Sequence, residues 1–263
     1  MNKTKKAWIN LILLAVTLAV NTLGALGIIN GLTQKEISDK YVTLITPSPS
    51  TFSIWSVIYS LLIASVIVMI VKQKDPYYQR AIEQISTLFW VSCILNIAWI
   101  VAFSFVLIEL SVLFIFGFVI TLALICKKQL SIQEGKRWLL PLSFGIYTGW
   151  LFIASVVNTA AMLVKWEWNG FGIADDVWAL IVLIIAIVLT VFVLLKNRNA
   201  AFPLPIAWAY LGIHQFLKSM EGFKSQYPLP QTFALIGMLI LVATAAFQFY
   251  RNDYSLLPDS SKE

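Results

Sequence analysis

Along the chain, long runs of apolar residues alternate with short clusters of charge, proline and glycine. A hydrocarbon core about 30 Å thick is crossed by a helix of about 20 apolar residues. Eight windows approach that length: Trp8 to Ile28, Phe52 to Val71, Ile85 to Phe105, Leu110 to Cys126, Trp138 to Leu163, Val177 to Leu195, Phe202 to Phe216 and Gln231 to Tyr250. The seventh is the weakest, because Pro203 and Pro205 crowd its start and His214 its end. Lys3, Lys5 and Lys6 precede the first window, but its apolar run is long for a cleaved signal peptide, so it is read as a helix. The pattern predicts an all-α integral membrane protein of eight transmembrane helices.

Composition agrees. Of 263 residues 59% are hydrophobic and only 12% charged, with a mean hydropathy of +0.82. This excludes a water-soluble domain, a disordered chain, a disulfide scaffold and a basic nucleic-acid-binding domain. The net charge of +6 bears on orientation instead. With the N-terminus inside, 14 of the 19 Lys and Arg residues fall in cytoplasmic segments: Lys3, Lys5, Lys6, Lys72, Lys74, Arg80, Lys127, Lys128, Lys136, Arg137, Lys196, Arg198, Arg251 and Lys262. Lys35, Lys40, Lys165, Lys218 and Lys224 are left for the outer side, and both termini are expected in the cytoplasm.

Cys93 and Cys126 lack the spacing of a metal or redox pair and are read as packing residues. Trp8, Trp138, Trp166, Trp168 and Trp178 lie near helix ends, where indoles favour the headgroup level. Trp55, Trp90, Trp99, Trp150 and Trp208 fall at or nearer membrane depth, and each indole N–H there needs an acceptor from protein, water or ligand.

Three segments hold the candidate chemistry. The second helix opens with Phe52, Trp55 and Tyr59 after Pro47, Ser48 and Pro49; the third carries Asn96, Trp99 and Phe103; the fifth carries Tyr147, Trp150, Ala154 and Asn158. At about 100° per residue each set occupies one face, within an arc of roughly 60 to 80°. The topology places all three stripes at one level in the outer half of the membrane, beneath the long connection from Gly31 to Thr51, which is long enough to act as a lid.

The same residues resemble the tryptophan-rich sensory protein family, called TspO/MBR in bacteria and translocator protein or peripheral benzodiazepine receptor in mitochondria. The resemblance covers roughly residues 8 to 165, and its most specific part is Trp150, Ala154 and Asn158, four residues apart. Ser48 separates two prolines that are usually adjacent in that family, Ile146 stands where a proline usually precedes the tyrosine, and Ser92 stands in place of a glutamine. The resemblance implies a five-helix bundle over residues 1–168, followed over 169–263 by three additional helices and a short cytoplasmic tail. It implies an aromatic cavity for a hydrophobic planar ligand, a porphyrin or related tetrapyrrole in a bacterial plasma membrane. No obligatory cofactor is expected; porphyrin or haem enters as ligand. Phe52, Trp55, Tyr59, Asn96, Trp99, Phe103, Tyr147, Trp150, Ala154 and Asn158 are the ligand-binding candidates. Trp55, Trp99 and Trp150 would stack on a macrocycle, Asn96 and Asn158 would hydrogen-bond its polar groups, and Ala154 would leave it room.

Sensing, transport and breakdown of the ligand all remain open. So does a packing role for the stripes, since membrane asparagines often bond a neighbouring helix. No helix interior carries Asp, Glu, Lys or Arg, and no nucleotide, HExxH or nucleophile-elbow motif occurs, so no catalytic or metal-ligating residue is assigned. A Trp-dependent photo-oxidation of bound porphyrin, implied by the resemblance, would need neither acid nor base. The alternatives are a facilitative transporter of another apolar molecule and a non-catalytic interaction subunit. Expected partners are a hydrophobic small molecule, the lipid bilayer and, as an open option, a second copy in a homodimer, with no nucleic acid. The clearest small-residue face, Asn21, Gly24 and Gly27 on the first helix, forms no GxxxG motif.

Overall fold

A computed structural model describes residues 1–260; among these, all regular structure is helical. In chain order the helices are α1 (Lys3–Ala25), α2 (Gln34–Asp39), α3 (Ile54–Val71), entered through a 3-10 turn at Pro49–Ser53, α4 (Pro76–Ser104), α5 (Ile108–Ile132), α6 (Leu139–Lys165), α7 (Asp175–Asn197), α8 (Pro203–Lys218) and α9 (Pro228–Arg251).

Seven of them are long and apolar enough to cross a membrane: α1, α3 with its leading turn, α4, α5, α6, α7 and α9. The remaining one of the eight expected helices is present but falls below that length, although it too runs between the two ends of the bundle. The seventh window forms α8, whose 16 residues rise only about 24 Å. It is short because Pro203 and Pro205 fix its start and its N-terminal connection is sunk inside the protein, with Asn199, Ala200, Ala201 and Phe202 all buried. Such a connection needs internal partners for its backbone. Asn199 Nδ2 donates to the Pro141 carbonyl at 2.8 Å, Ala200 N to the Leu256 carbonyl at 2.9 Å, and Asn252 Nδ2 to the Arg198 carbonyl at 2.8 Å. The C-terminal segment thus closes one end of the bundle, here the tail end; the opposite end, covered by α2, is the lid end.

Two helices outrun their apolar windows. α4 begins nine residues before Ile85, capped by Asp75, whose side chain accepts from Tyr77 N at 2.9 Å, with Pro76 in its first turn. Its early turns carry Arg80, paired with Glu134, and Tyr77 and Tyr78 under the Arg137 guanidinium, 5.1 and 5.7 Å from the ring centres. Hydropathy stops there although the helix does not. α5 likewise continues through Lys127 and Lys128.

Helices α1, α3, α6, α5 and α4 pack in that order around a ring that α4 closes against α1. α5 illustrates why. Ile108, Ser111, Val112, Ile115, Phe118, Leu122 and Ile125 recur every three or four residues and are buried, while Leu113, Phe116, Ile120 and Leu124 on the other side remain exposed. In a protein with seven such spans the exposed apolar face is the one that meets lipid.

α8 packs on α6, α9 on α8, and α7 on α9 and α5. The α6 surface that receives the start of α8 is built on Gly145 and Gly149. A Cβ at Gly145 would lie 2.6 Å from Asn199 Oδ1, and one at Gly149 would lie 2.1 Å from the Phe202 carbonyl oxygen. Four residues apart, the pair forms the GxxxG spacing that lets backbones meet.

Thirteen of the fourteen cations expected inside stand at the tail end, and Lys262 lies outside the described residues; Lys35, Lys40, Lys165, Lys218 and Lys224 stand at the lid end.

Candidate functional site

A cavity of about 390 Å³ lies beneath α2, within the size range of small-molecule sites. The roof is the loop expected to act as a lid, which carries a short helix of its own. Thr33 and Glu36 form a reciprocal cap on α2: Thr33 N donates to Glu36 Oε2 at 2.7 Å, and Glu36 N to Thr33 Oγ1 at 3.2 Å. The Thr33 backbone N–H, and then its hydroxyl, hold the Glu36 carboxyl below its usual range. Ile37 points inward and is fully buried. Lys35 and Asp39, 2.5 Å apart, are the charged residues among those lining the cavity, and they stand at its mouth. The hydrogen bond from Lys35, then the charge of Asp39, raises the ammonium pKa.

The walls come from the predicted stripes. Phe52 contributes from the 3-10 turn that leads into α3, Trp55 from the start of α3, Trp99 and Phe103 from α4, and Trp150, Ala154 and Asn158 from α6. Trp55 is at the centre of the aromatic group. Its ring centre lies 6.2 Å from Trp99, 6.1 Å from Trp150 with the planes at 88°, and 5.2 Å from Tyr59, on which it stacks.

The other three candidates, Tyr59, Asn96 and Tyr147, are not on the cavity surface and form a hydrogen-bonded layer with Asn21. Tyr59 Oη donates to Asn21 Oδ1 at 2.8 Å, Asn21 Nδ2 to Asn96 Oδ1 at 2.7 Å, and Asn96 Nδ2 to the Tyr147 phenolic oxygen at 2.9 Å. Asn158, though it lines the cavity, bonds across to α5: its Nδ2 donates to Ser111 Oγ at 3.1 Å. Both asparagines expected to meet a ligand are therefore engaged with neighbouring helices.

The deep indoles divide clearly. Trp90 Nε1 donates to Asn10 Oδ1 at 2.7 Å and Trp208 Nε1 to the Thr51 carbonyl at 2.9 Å. The N–H groups of Trp99 and Trp150 are buried without a hydrogen-bond partner. An unpaired buried donor costs about 1–3 kcal/mol, and both of these unsatisfied indoles are among the three that wall the cavity.

Sequence reasoning missed the contributions from outside the stripes. Ala25 closes the cavity from the end of α1, and Ala209 and Phe216 reach it from α8. α8 is also tied to the hinge between lid and α3. Ser48 N donates to the Gly212 carbonyl at 3.0 Å, Ser48 Oγ to Gln215 Oε1 at 3.2 Å, and a Cβ at Gly212 would lie 2.0 Å from Thr51 Oγ1. The signal for Gly145 and Gly149 was present as a GxxxG; nothing in the local pattern marks Ala209 or Phe216.

No curated protein and no solved structure matches the chain. The family model of the TSPO-like protein matches residues 7–247, a span that includes α7, α8 and most of α9 as well as the ring of five. With seven membrane-length helices, an aromatic cavity on the expected stripes and this match over most of its length, the chain is a multi-pass membrane protein that belongs to the TSPO-like protein family.

Proposed function

We propose that this protein binds a flat, hydrophobic molecule, a porphyrin or related tetrapyrrole, in the cavity beneath α2, in the plasma membrane with the lid end outside. The observation that carries the reading is the wall of Trp55, Trp99 and Trp150, in which the last two indole N–H groups are buried and unpaired. Indole faces offer dispersion and stacking to a planar ring, and an acceptor on a bound molecule would relieve the cost of the orphaned donors after small ring adjustments.

The floor favours binding over an open path for flux. The hydrogen-bonded layer of Tyr59, Asn21, Asn96 and Tyr147 lies below the cavity, and Phe118 packs edge-on against Tyr147 at 5.4 Å. A ligand enters and leaves at the lid end, and sensing, delivery or breakdown begins from that bound state. Titration of the purified protein in detergent with protoporphyrin, followed by tryptophan fluorescence, tests the reading. Saturable quenching at one ligand per chain is expected; a signal that rises only linearly with porphyrin, as from partition into micelles, overturns it.

A further inference from the structure

We infer that α8 completes the ligand site, Ala209 and Phe216 setting the size of molecule it accepts and Trp208, Gly212 and Gln215 holding the hinge of its lid. This rests on the binding reading above and extends it to a helix outside the ring of five.

Two sets of contacts carry the inference. On the cavity side, Ala209 and Phe216 lie seven residues apart, two turns of one helix, and both line the cavity, on a helix that packs against α6 and the turn leading into α3. One is the smallest side chain with a Cβ and the other among the largest apolar ones, so this wall is open at one level and filled at the next. On the hinge side, Trp208 Nε1 bonds the Thr51 carbonyl, and Ser48 bonds both the Gly212 carbonyl and Gln215 Oε1. Thr51 is 1% exposed, and Gly212 admits it only by lacking a side chain.

α8 is fixed in turn. Gly145 and Gly149 receive its start, His214 Nδ1 lies 2.9 Å from the Gln231 carbonyl of α9, and Tyr210 Oη donates to the Leu183 carbonyl of α7 at 2.5 Å. Residues 46–53 therefore meet a braced surface. The lid hinge and the cavity wall share that surface, so a change in α8 alters what fits and how long it stays.

The test uses the full-length protein and two neutral planar probes of different size, anthracene and perylene, with affinities read from tryptophan fluorescence. Phe216→Ala is expected to raise the perylene-to-anthracene affinity ratio about tenfold, and Ala209→Phe to lower it by a similar factor, the order of discrimination an apolar pocket gives for small changes of volume. A gain for the larger probe cannot come from a protein that is merely destabilised. Trp208→Phe keeps a ring and removes the donor to Thr51; it is expected to speed dissociation of both probes about fivefold while leaving their ratio unchanged. Ratios within twofold of the parent protein in both wall variants, with both probes still bound, overturn the wall; unchanged dissociation in Trp208→Phe overturns the hinge. If the parent protein binds neither probe nor protoporphyrin, the binding reading itself falls, and this inference with it.

Discussion

Asn96 donates to the phenolic oxygen of Tyr147 at 2.9 Å and accepts from Asn21 at 2.7 Å, so the most deeply placed asparagine of the aromatic stripes joins three helices and does not line the cavity. Its place is structural by this geometry. Replacing it with Leu leaves Asn21 and Tyr147 each short of a buried partner, a loss of roughly 2–5 kcal/mol for two such groups. Asn96→Leu is therefore expected to lower the midpoint of thermal unfolding clearly. Protein that remains folded is expected to bind protoporphyrin within about twofold of the parent protein. A tenfold loss of affinity with an unchanged unfolding midpoint would return Asn96 to the ligand.

Ala154 occupies the opposite situation. It is half-buried, lines the cavity and has Trp150 one turn before it and Asn158 one turn after. A phenyl ring there would point into the cavity without crossing a packed interface. Ala154→Phe is expected to reduce porphyrin affinity by at least about tenfold with little change in unfolding midpoint. Binding that persists unchanged in a monodisperse Ala154→Phe protein would place the ligand elsewhere.

What could be read from the sequence follows the range of the interaction responsible. The membrane helices were legible because a bilayer imposes a length and a composition on each one separately. The stripes were legible because Phe52, Trp55, Trp99, Phe103, Trp150, Ala154 and Asn158 each follow a single helical period. The extra turns of α4 were hidden by Arg80 and Glu83, charges that have room at the helix end. The Thr33 to Glu36 cap marks α2 in the sequence, yet a helix of six residues presents no period to detect. Tyr59, Asn96 and Tyr147 share faces with cavity residues, but depth along a face decides between lining a cavity and bracing its floor. The α8 wall depends on three helices meeting, which no single-helix pattern encodes.

The charge asymmetry makes orientation testable. Both cysteines are buried, so Cys93→Ala/Cys126→Ala provides a silent background for labelling. Lys40→Cys lies on an exposed position of the lid segment and Ser131→Cys on an exposed position at the tail end. An impermeant maleimide is expected to label position 40 in intact cells and position 131 only after permeabilisation. The reverse pattern would invert the topology and place the cavity on the cytoplasmic side.

The cap of α2 predicts an acid response of the lid. Glu36 accepts from the Thr33 backbone and hydroxyl, and its carboxyl pKa is lowered from 4.5. For a carboxyl whose folded value is lowered, the stabilising contribution is complete above the unfolded value and disappears as pH falls through the folded one. Amide exchange over residues 34–39, corrected for its intrinsic pH dependence, is expected to be protected at neutral pH and to accelerate below about pH 4.5. Glu36→Gln keeps a weaker reciprocal cap and is expected to lose the pH dependence while keeping part of the protection. An acid response that survives in Glu36→Gln would assign it to another group.

Gly149 offers the sharpest test of whether the later helices are integral to the fold. The Cβ of an alanine there would lie 2.1 Å from the Phe202 carbonyl oxygen and 2.6 Å from Pro205 Cγ. Neither atom is at the end of a flexible side chain, so the start of α8 must move as a body. Overpacking of this kind costs about 1–3 kcal/mol, and Gly149→Ala recovers part of it through better helix propensity, by up to about 1 kcal/mol. The expected result is a net loss of stability together with faster amide exchange over residues 198–206, where Ala200 N donates to the Leu256 carbonyl and the Asn199 side chain to that of Pro141. Because α8 also meets Ser48 and Thr51, exchange over residues 46–53 is expected to rise in the same variant, although those residues lie at the other end of the bundle. Faster exchange at the tail end alone would mean that α8 bends locally; unchanged exchange at both ends would mean that the contact at Gly149 is looser than its geometry.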